Sequence, residues 1–315
     1  MPYVLFSLVC LIWGSSFMLM KLSTQCLTPI EVGAGRAIGG AAVLALFFLI
    51  ARRQFTFRMS DVAALLAVVV LGFAWPHSLQ PWLVERIGSG LVGMSVGFTP
   101  LLTLLVAIPM LGHWPTARQG LGVLGALFFL IILMRDGLGR AIPLRDLCLA
   151  ISVPMTYSVA NCLIQRSLKH LPPLELTLLC LAANSCVLLP LSLAVGRPPV
   201  NEAAPWGIAL LAVTVLGVVG TGLATFLFNK LVREQGSLFA TMTINLTPLG
   251  AVLWGWAMGE KVTSTQIVAL LGVLVMVIVV QFGAARSSSP SANADAAVDE
   301  ELLPLAGDTG SGGLR

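Results

Sequence analysis

Charge is scarce in this chain. Only 10% of its 315 residues are charged, against roughly 25% in soluble domains. With 57% hydrophobic residues, too few charges remain to cover a water-exposed surface. Histidine is scarcer still: His77, His113 and His170 lie far apart. With no HExxH, GxSxG or Ser/His/Asp arrangement, the chain is not expected to be an enzyme. The cysteines (Cys10, Cys26, Cys148, Cys162, Cys180, Cys186) show neither CxxC nor metal-ligand spacing. No disulfide framework, metal site or cofactor is therefore expected. No Walker A sequence is present, which excludes ATP drive from this chain. The basic residues are scattered and the net charge is only +4, so nucleic acid is not an expected partner.

Apolar runs are abundant. A membrane-spanning helix needs about 20 mainly apolar residues, and such runs recur near 3–21, 30–50, 62–82, 89–110, 117–134, 146–165, 173–195, 206–229, 236–257 and 264–283. The expected fold is an all-α integral membrane protein of ten spans. The first run has no basic leader and no small-residue cleavage site, so it is expected to be retained. From 284 to 315 the composition shifts to Ser, Ala, Asp, Glu and Gly, which predicts a disordered tail. Asp299-Glu300-Glu301-Leu302-Leu303 is similar to a sorting signal, but an acidic tail matches that by chance. Gly88-Ser89-Gly90-Leu91-Val92-Gly93 fits GxGxxG, yet it opens a span with no strand before it. Asn245-Leu246-Thr247 fits a glycosylation sequon but falls inside a span.

The chain also repeats itself. Residues 83–100 (LVERIGSGLVGMSVGFTP) align without gaps on 231–248 (LVREQGSLFATMTINLTP), pairing Gly88/Gly236, Ser89/Ser237, Met94/Met242, Thr99/Thr247 and Pro100/Pro248. Leu111-Gly112-His113 then parallels Met258-Gly259-Glu260. Earlier, Pro29-Ile30-Glu31 parallels Pro173-Leu174-Glu175, a register that sets Trp13 opposite Tyr157. Five spans per copy, an odd number, insert the second copy upside down. That is the inverted-repeat plan of secondary transporters, whose substrate site lies near the midplane between the halves. The halves are expected at 1–140 and 141–283.

Trp13-Gly14-Ser15-Ser16-Phe17, Pro29 with Arg36, the Thr-Pro pairs of spans four and nine, and Gly259-Glu260 resemble the drug/metabolite transporter superfamily, specifically its EamA-type members. The resemblance covers about residues 3–283, and the order and spacing of the motifs carry it. His113 departs from it, since the first repeat commonly has Glu there. The resemblance implies both termini in the cytoplasm and export of amino acids or related small metabolites through a central cavity by alternating access. It also implies that the last helix of each repeat is peripheral. An uptake permease for a vitamin, sugar or carboxylate, or a multidrug efflux protein, would use the same fold. A membrane scaffold is the least expected reading. The expected setting is the cell (inner) membrane, as a multi-pass monomer or homodimer with a small-molecule substrate and the lipid bilayer as partners. Charge agrees with this orientation chiefly through Arg52, Arg53 and Arg58.

Polar side chains inside spans should face other helices or a watery cavity. The candidate substrate-binding residues are Trp13, Ser16, Trp75, His77, Gln80, Thr99, Tyr157, Asn161, Asn245 and Thr247. Ser95, Thr99 and Thr103 form one stripe, Tyr157, Asn161 and Gln165 another, and Trp75, Ser78 and Trp82 a third. Helix packing is the competing reading for each Ser and Thr. Trp82, Trp254 and Trp256 are open to an anchoring role at the membrane interface. Pro100 and Pro248 each remove a helix hydrogen bond, predicting paired kinks that serve as hinges or as rigid bends. Arg36 has two readings: it meets a substrate carboxylate, or it snorkels to the interface and pairs with Glu31; the second is preferred. His77 is the one mid-depth titrating group, so a facilitator and a proton exchanger stay equally open.

Overall fold

The computed structural model describes residues 2–112, 114–195, 205–235 and 237–285, with side chains at all of these but 2, 229, 232–235, 237–242, 245 and 280–285. The described residues are helical with short connectors, and contain no strand. The helices are α1 (Pro2–Ser23), α2 (Pro29–Ile50), α3 (Met59–Ile87), α4 (Ser89–Leu111), α5 (Ala117–Gly139), α6 (Leu144–Leu168) and α7 (Pro173–Ala194). Then come α8 (Trp206–Val215, Leu216–Leu223 and Ala224–Gln235 in succession), α9 (Ser237–Ala257) and α10 (Ser264–Ala285). Helices α1 to α7 and Trp206–Phe228 of α8 are eight stretches long and apolar enough to cross a membrane. The expected tail from 284 gives its first two residues to the end of α10; the rest of it, its dileucine segment and His113 lie outside the described residues.

Local chemistry sets the ends. Thr28 and Glu31 form a capping box at α2, with Pro29 at the first turn, where a missing N–H costs nothing. Thr116 and Gln119 do the same for α5. Helix α3 starts earlier than expected because Asp61 turns back to accept the Arg58 N–H at 2.9 Å, opening a short 3₁₀ turn. Three helices contain π turns: Val70–Ala74 in α3, Ile164–Leu168 in α6 and Leu216–Leu223 in α8.

Helix α1 crosses α9 where Gly14 meets Gly250. A Cβ on Gly14 would lie 2.7 Å from the Gly250 Cα, so only hydrogen at both positions permits the crossing. Gly39 of α2 and Gly217 of α8 approach as closely. Helices α5 and α10 pack chiefly on each other through Ala126, Leu130, Leu133, Ala269, Leu270 and Val273. Their outer faces present Leu124, Phe128, Leu271 and Val275.

The connectors are fixed by carboxylates. On the face holding the start of α1, buried Glu175 accepts the Thr56 N–H (2.7 Å), the Phe57 N–H (2.8 Å) and the Thr56 hydroxyl (2.8 Å). Asp61 meets His170 at 3.1 Å nearby. On the opposite face Arg86 donates to Asp146 at 2.8 Å and stacks over Trp82, 4.6 Å from its centroid. Trp82 thus sits under a cation at the helix end.

Candidate functional site

A cavity of about 550 Å³ lies between α1, α2, α3, α4, α6, α7, α8 and α9. Its depth is lined by Trp13, Ser16, Arg36, His77, Gln80 and Thr221, and its wall continues through Tyr157, Asn161 and Phe228. It reaches Lys169, Leu171 and Pro173, the connector between α6 and α7, on the face where α1 begins. Toward the other face the interhelical space is filled by Met20, Leu83, Val84, Leu91 and Val92. Among the described residues its lining holds no Asp or Glu.

Eight of the ten expected residues line this cavity: Trp13, Ser16, His77, Gln80, Thr99, Tyr157, Asn161 and Thr247. Trp75 does not. It is 42% exposed on the outside of α3, where its indole N–H donates to Ser152 Oγ at 3.1 Å. The expected stripe through Trp75, Ser78 and Trp82 is therefore the wrong face of α3. The lining stripe is Phe73, His77 and Gln80, at spacings of four and three. The Asn245 side chain lies outside the described residues. Gln165 is exposed, and Ile164 and Leu168 of the π turn take its expected place on the wall. Trp254 and Trp256 are exposed and do not reach the cavity.

The Ser/Thr stripe of α4 divides by partner. Ser95 and Thr103 bond backbone carbonyls, and Thr103 also meets Ser158 of α6 at 3.2 Å. Thr99 lines the cavity while donating to the Val96 carbonyl at 2.7 Å. That carbonyl would otherwise have bonded the N–H that Pro100 lacks. Helix α4 is interrupted there: regular helix stops at Val96 and resumes at Thr99. Helix α9 runs through Pro248 without a break. The expected paired kinks are thus unequal, and Pro248 packs against Gly97 at the interruption of α4.

Arg36 overturns the preferred reading of it. It turns inward, where Nε donates to Thr221 Oγ1 at 3.0 Å and Nη1 donates to Gln80 Oε1 at 3.3 Å. Thr221 in turn donates to the Leu216 carbonyl five residues back, so the π turn of α8 aims its hydroxyl. Glu31 lies in its capping box with Thr28 instead. Interior contacts on two other helices outweigh snorkelling because the guanidinium finds polar partners without leaving the bundle.

Three contacts escaped sequence reasoning. Asn184 of α7 is fully buried and meets His77 Nδ1 at 3.1 Å, fixing the imidazole at the cavity wall. A lone Asn in an apolar span was the available signal. Thr221 sits in the glycine-rich run Gly217 to Gly222, whose spacing signals close helix approach. At the closed face Glu260 accepts from Lys21 Nζ at 2.6 Å, from the Ser89 N–H and hydroxyl at 2.9 Å each, and from the Gly90 N–H at 3.0 Å. It thereby caps α4 across the fold, reached through Gly88 at φ +91°.

A helical bundle with apolar spans around a mid-depth cavity defines a multi-pass membrane protein. The chain matches the EamA-like transporter family over residues 1–135 and 144–282, and it belongs to that family; it is a membrane transporter of the drug/metabolite superfamily. It is 19% identical to the uncharacterized transporter YoaV of Bacillus subtilis (strain 168), over 84% of this chain and 90% of that protein. A solved crystal structure that is 17% identical superposes with a TM-score of 0.63, covering 89% of this chain and 96% of that one. That likeness concerns the fold.

Proposed function

We propose that this transporter carries amino acids or related small metabolites out of the cell through the cavity, by alternating access between two inverted five-helix halves, 1–140 and 141–283. One observation carries the reading. Residues related by the internal repeat, Trp13 with Tyr157 and Thr99 with Thr247, line one cavity that reaches a single face. The twofold match to the family model, 1–135 and 144–282, supports the division. So do the π turns at corresponding places in α3 and α8, and the pairing of α5 with α10. In this orientation both termini are cytoplasmic and the inner membrane is the setting. The cavity is then the inward-open state, and the Glu260 cluster belongs to the closed outer side.

The test is growth. Cells expressing the chain are challenged with toxic amino-acid analogues, and resistance with lowered internal analogue is expected. Rescue of an auxotroph at low external metabolite, without resistance, would replace export by uptake. Asn161→Ala should raise the analogue concentration for half-maximal export, whereas Trp75→Phe should leave it unchanged.

A further inference from the structure

We infer that Arg36 is the carboxylate-binding residue of the cavity, and that the solutes this protein selects are monocarboxylates on an apolar body. The inference rests on the transport reading and names its substrate class. A guanidinium inside a membrane bundle stays charged, and burying a charge without a counter-charge is costly. Both side chains that Arg36 bonds, Thr221 and Gln80, are neutral. Among the described residues no acidic side chain lines the cavity with it, and Nη2 has no protein partner. The charge is therefore left to water or to a ligand.

The geometry favours a ligand with two oxygens. Nε and Nη1 are occupied on separate helices, α8 and α3, which fixes the guanidinium plane from two sides. Arg36 lines the cavity, and a planar carboxylate there accepts its remaining N–H groups at charge-assisted strength. One guanidinium balances one carboxylate. A phosphate dianion would leave charge over, since the other cation of the lining, Lys169, stands at the mouth. Beyond Arg36 most of the wall is aromatic or aliphatic, broken by neutral polar groups such as Asn161 and Thr247: Trp13 and Phe228 pack with ring centroids 5.2 Å apart. That surface suits an apolar body and offers a solute cation no carboxylate.

A matched set of probes sharing one phenyl body separates the terms. Purified wild-type protein in detergent is titrated with 3-phenylpropanoate, L-phenylalanine, 3-phenylpropanamide and phenethylamine, following thermal stabilisation and tryptophan fluorescence. Both carboxylates should bind on the order of tenfold or more tighter than the amide and the amine, the scale of a charge-assisted hydrogen bond. Arg36→Gln should abolish that preference, and Arg36→Lys should keep the acid-over-amine order at lower affinity. A purely structural Arg36 would shift the melting of unliganded protein and leave the order intact. Wild-type binding with no carboxylate preference, or no binding of either acid, overturns the inference, and neither result depends on how the variants fold. Flux in proteoliposomes is scored separately. Carboxylate preference without flux would remove the transport reading alone, and flux of amine or amide equal to acid would remove this inference alone.

Discussion

Removing Glu260 tests whether the closed face is held by a single carboxylate. Its ion pair with Lys21, whose side chain is 31% exposed, is worth at most about 1 kcal/mol. As the acceptor for the first N–H groups of α4 it adds about 1 kcal/mol, and the positive end of that helix about 0.5 kcal/mol. Glu260→Ala should therefore cost about 2–3 kcal/mol, and Glu260→Gln roughly half of that, since an amide oxygen accepts without charge. Burial alone would raise this carboxyl, but hydrogen bonds from Lys21, Gly90 and Ser89 outweigh it and hold the group below its ordinary value of 4.5. A depressed folded value means stability that is complete above pH 4.5 and lost as pH falls through the folded pKa. Thermal unfolding of wild type, both variants and the Lys21→Met/Glu260→Gln pair, in detergent from neutral to acid pH, reads all of this. The gap between wild type and Glu260→Gln should narrow on acidification, and the double variant should fall short of additivity. A Glu260→Ala protein within about 0.5 kcal/mol of wild type, or a gap indifferent to pH, would refute the reasoning.

Gly14→Ala forces α1 off α9 and should cost at least about 2 kcal/mol, seen as loss of the monodisperse peak in size exclusion; Gly120→Ala, with open space around it, is the neutral control. Thr99→Val strips the Val96 carbonyl of its donor at a cost of about 1–2 kcal/mol, and adding Pro100→Ala should recover most of it by restoring the N–H. Pro100→Ala alone, well expressed and with unchanged turnover, would end the view of the α4 break as a hinge.

The helices were legible because bilayer thickness dictates the length of each apolar run, as the bounds of α2, α4 and α7 illustrate. Lining residues were legible where a polar group had to be satisfied in mid-span, as at Gln80, Asn161 and Tyr157. Rotation was not. A helix apolar on every side has no periodicity to orient it, so Trp75 and His77, two residues apart on α3, could not be told in from out. Arg36 was misread for another reason. Its partners sit 44 and 185 residues away in sequence, and nothing local distinguishes an inward cation from one reaching for the headgroups. The Glu260 cap was hidden likewise, since the helix it ends begins 171 residues earlier.

The π turns carry a consequence for how the wall of the cavity can change. Each wide turn holds a residue beyond what a regular α-turn needs, so the chain can lose one there without severing the helix. Such a deletion in Val70–Ala74 returns the turn to regular helix and keeps His77 and Gln80 on the wall, whereas one in the regular turn before it would swing everything beyond by about 100°. A change in residue count is thus absorbed inside the π turn, and re-aims a whole row where it falls in a regular turn before it.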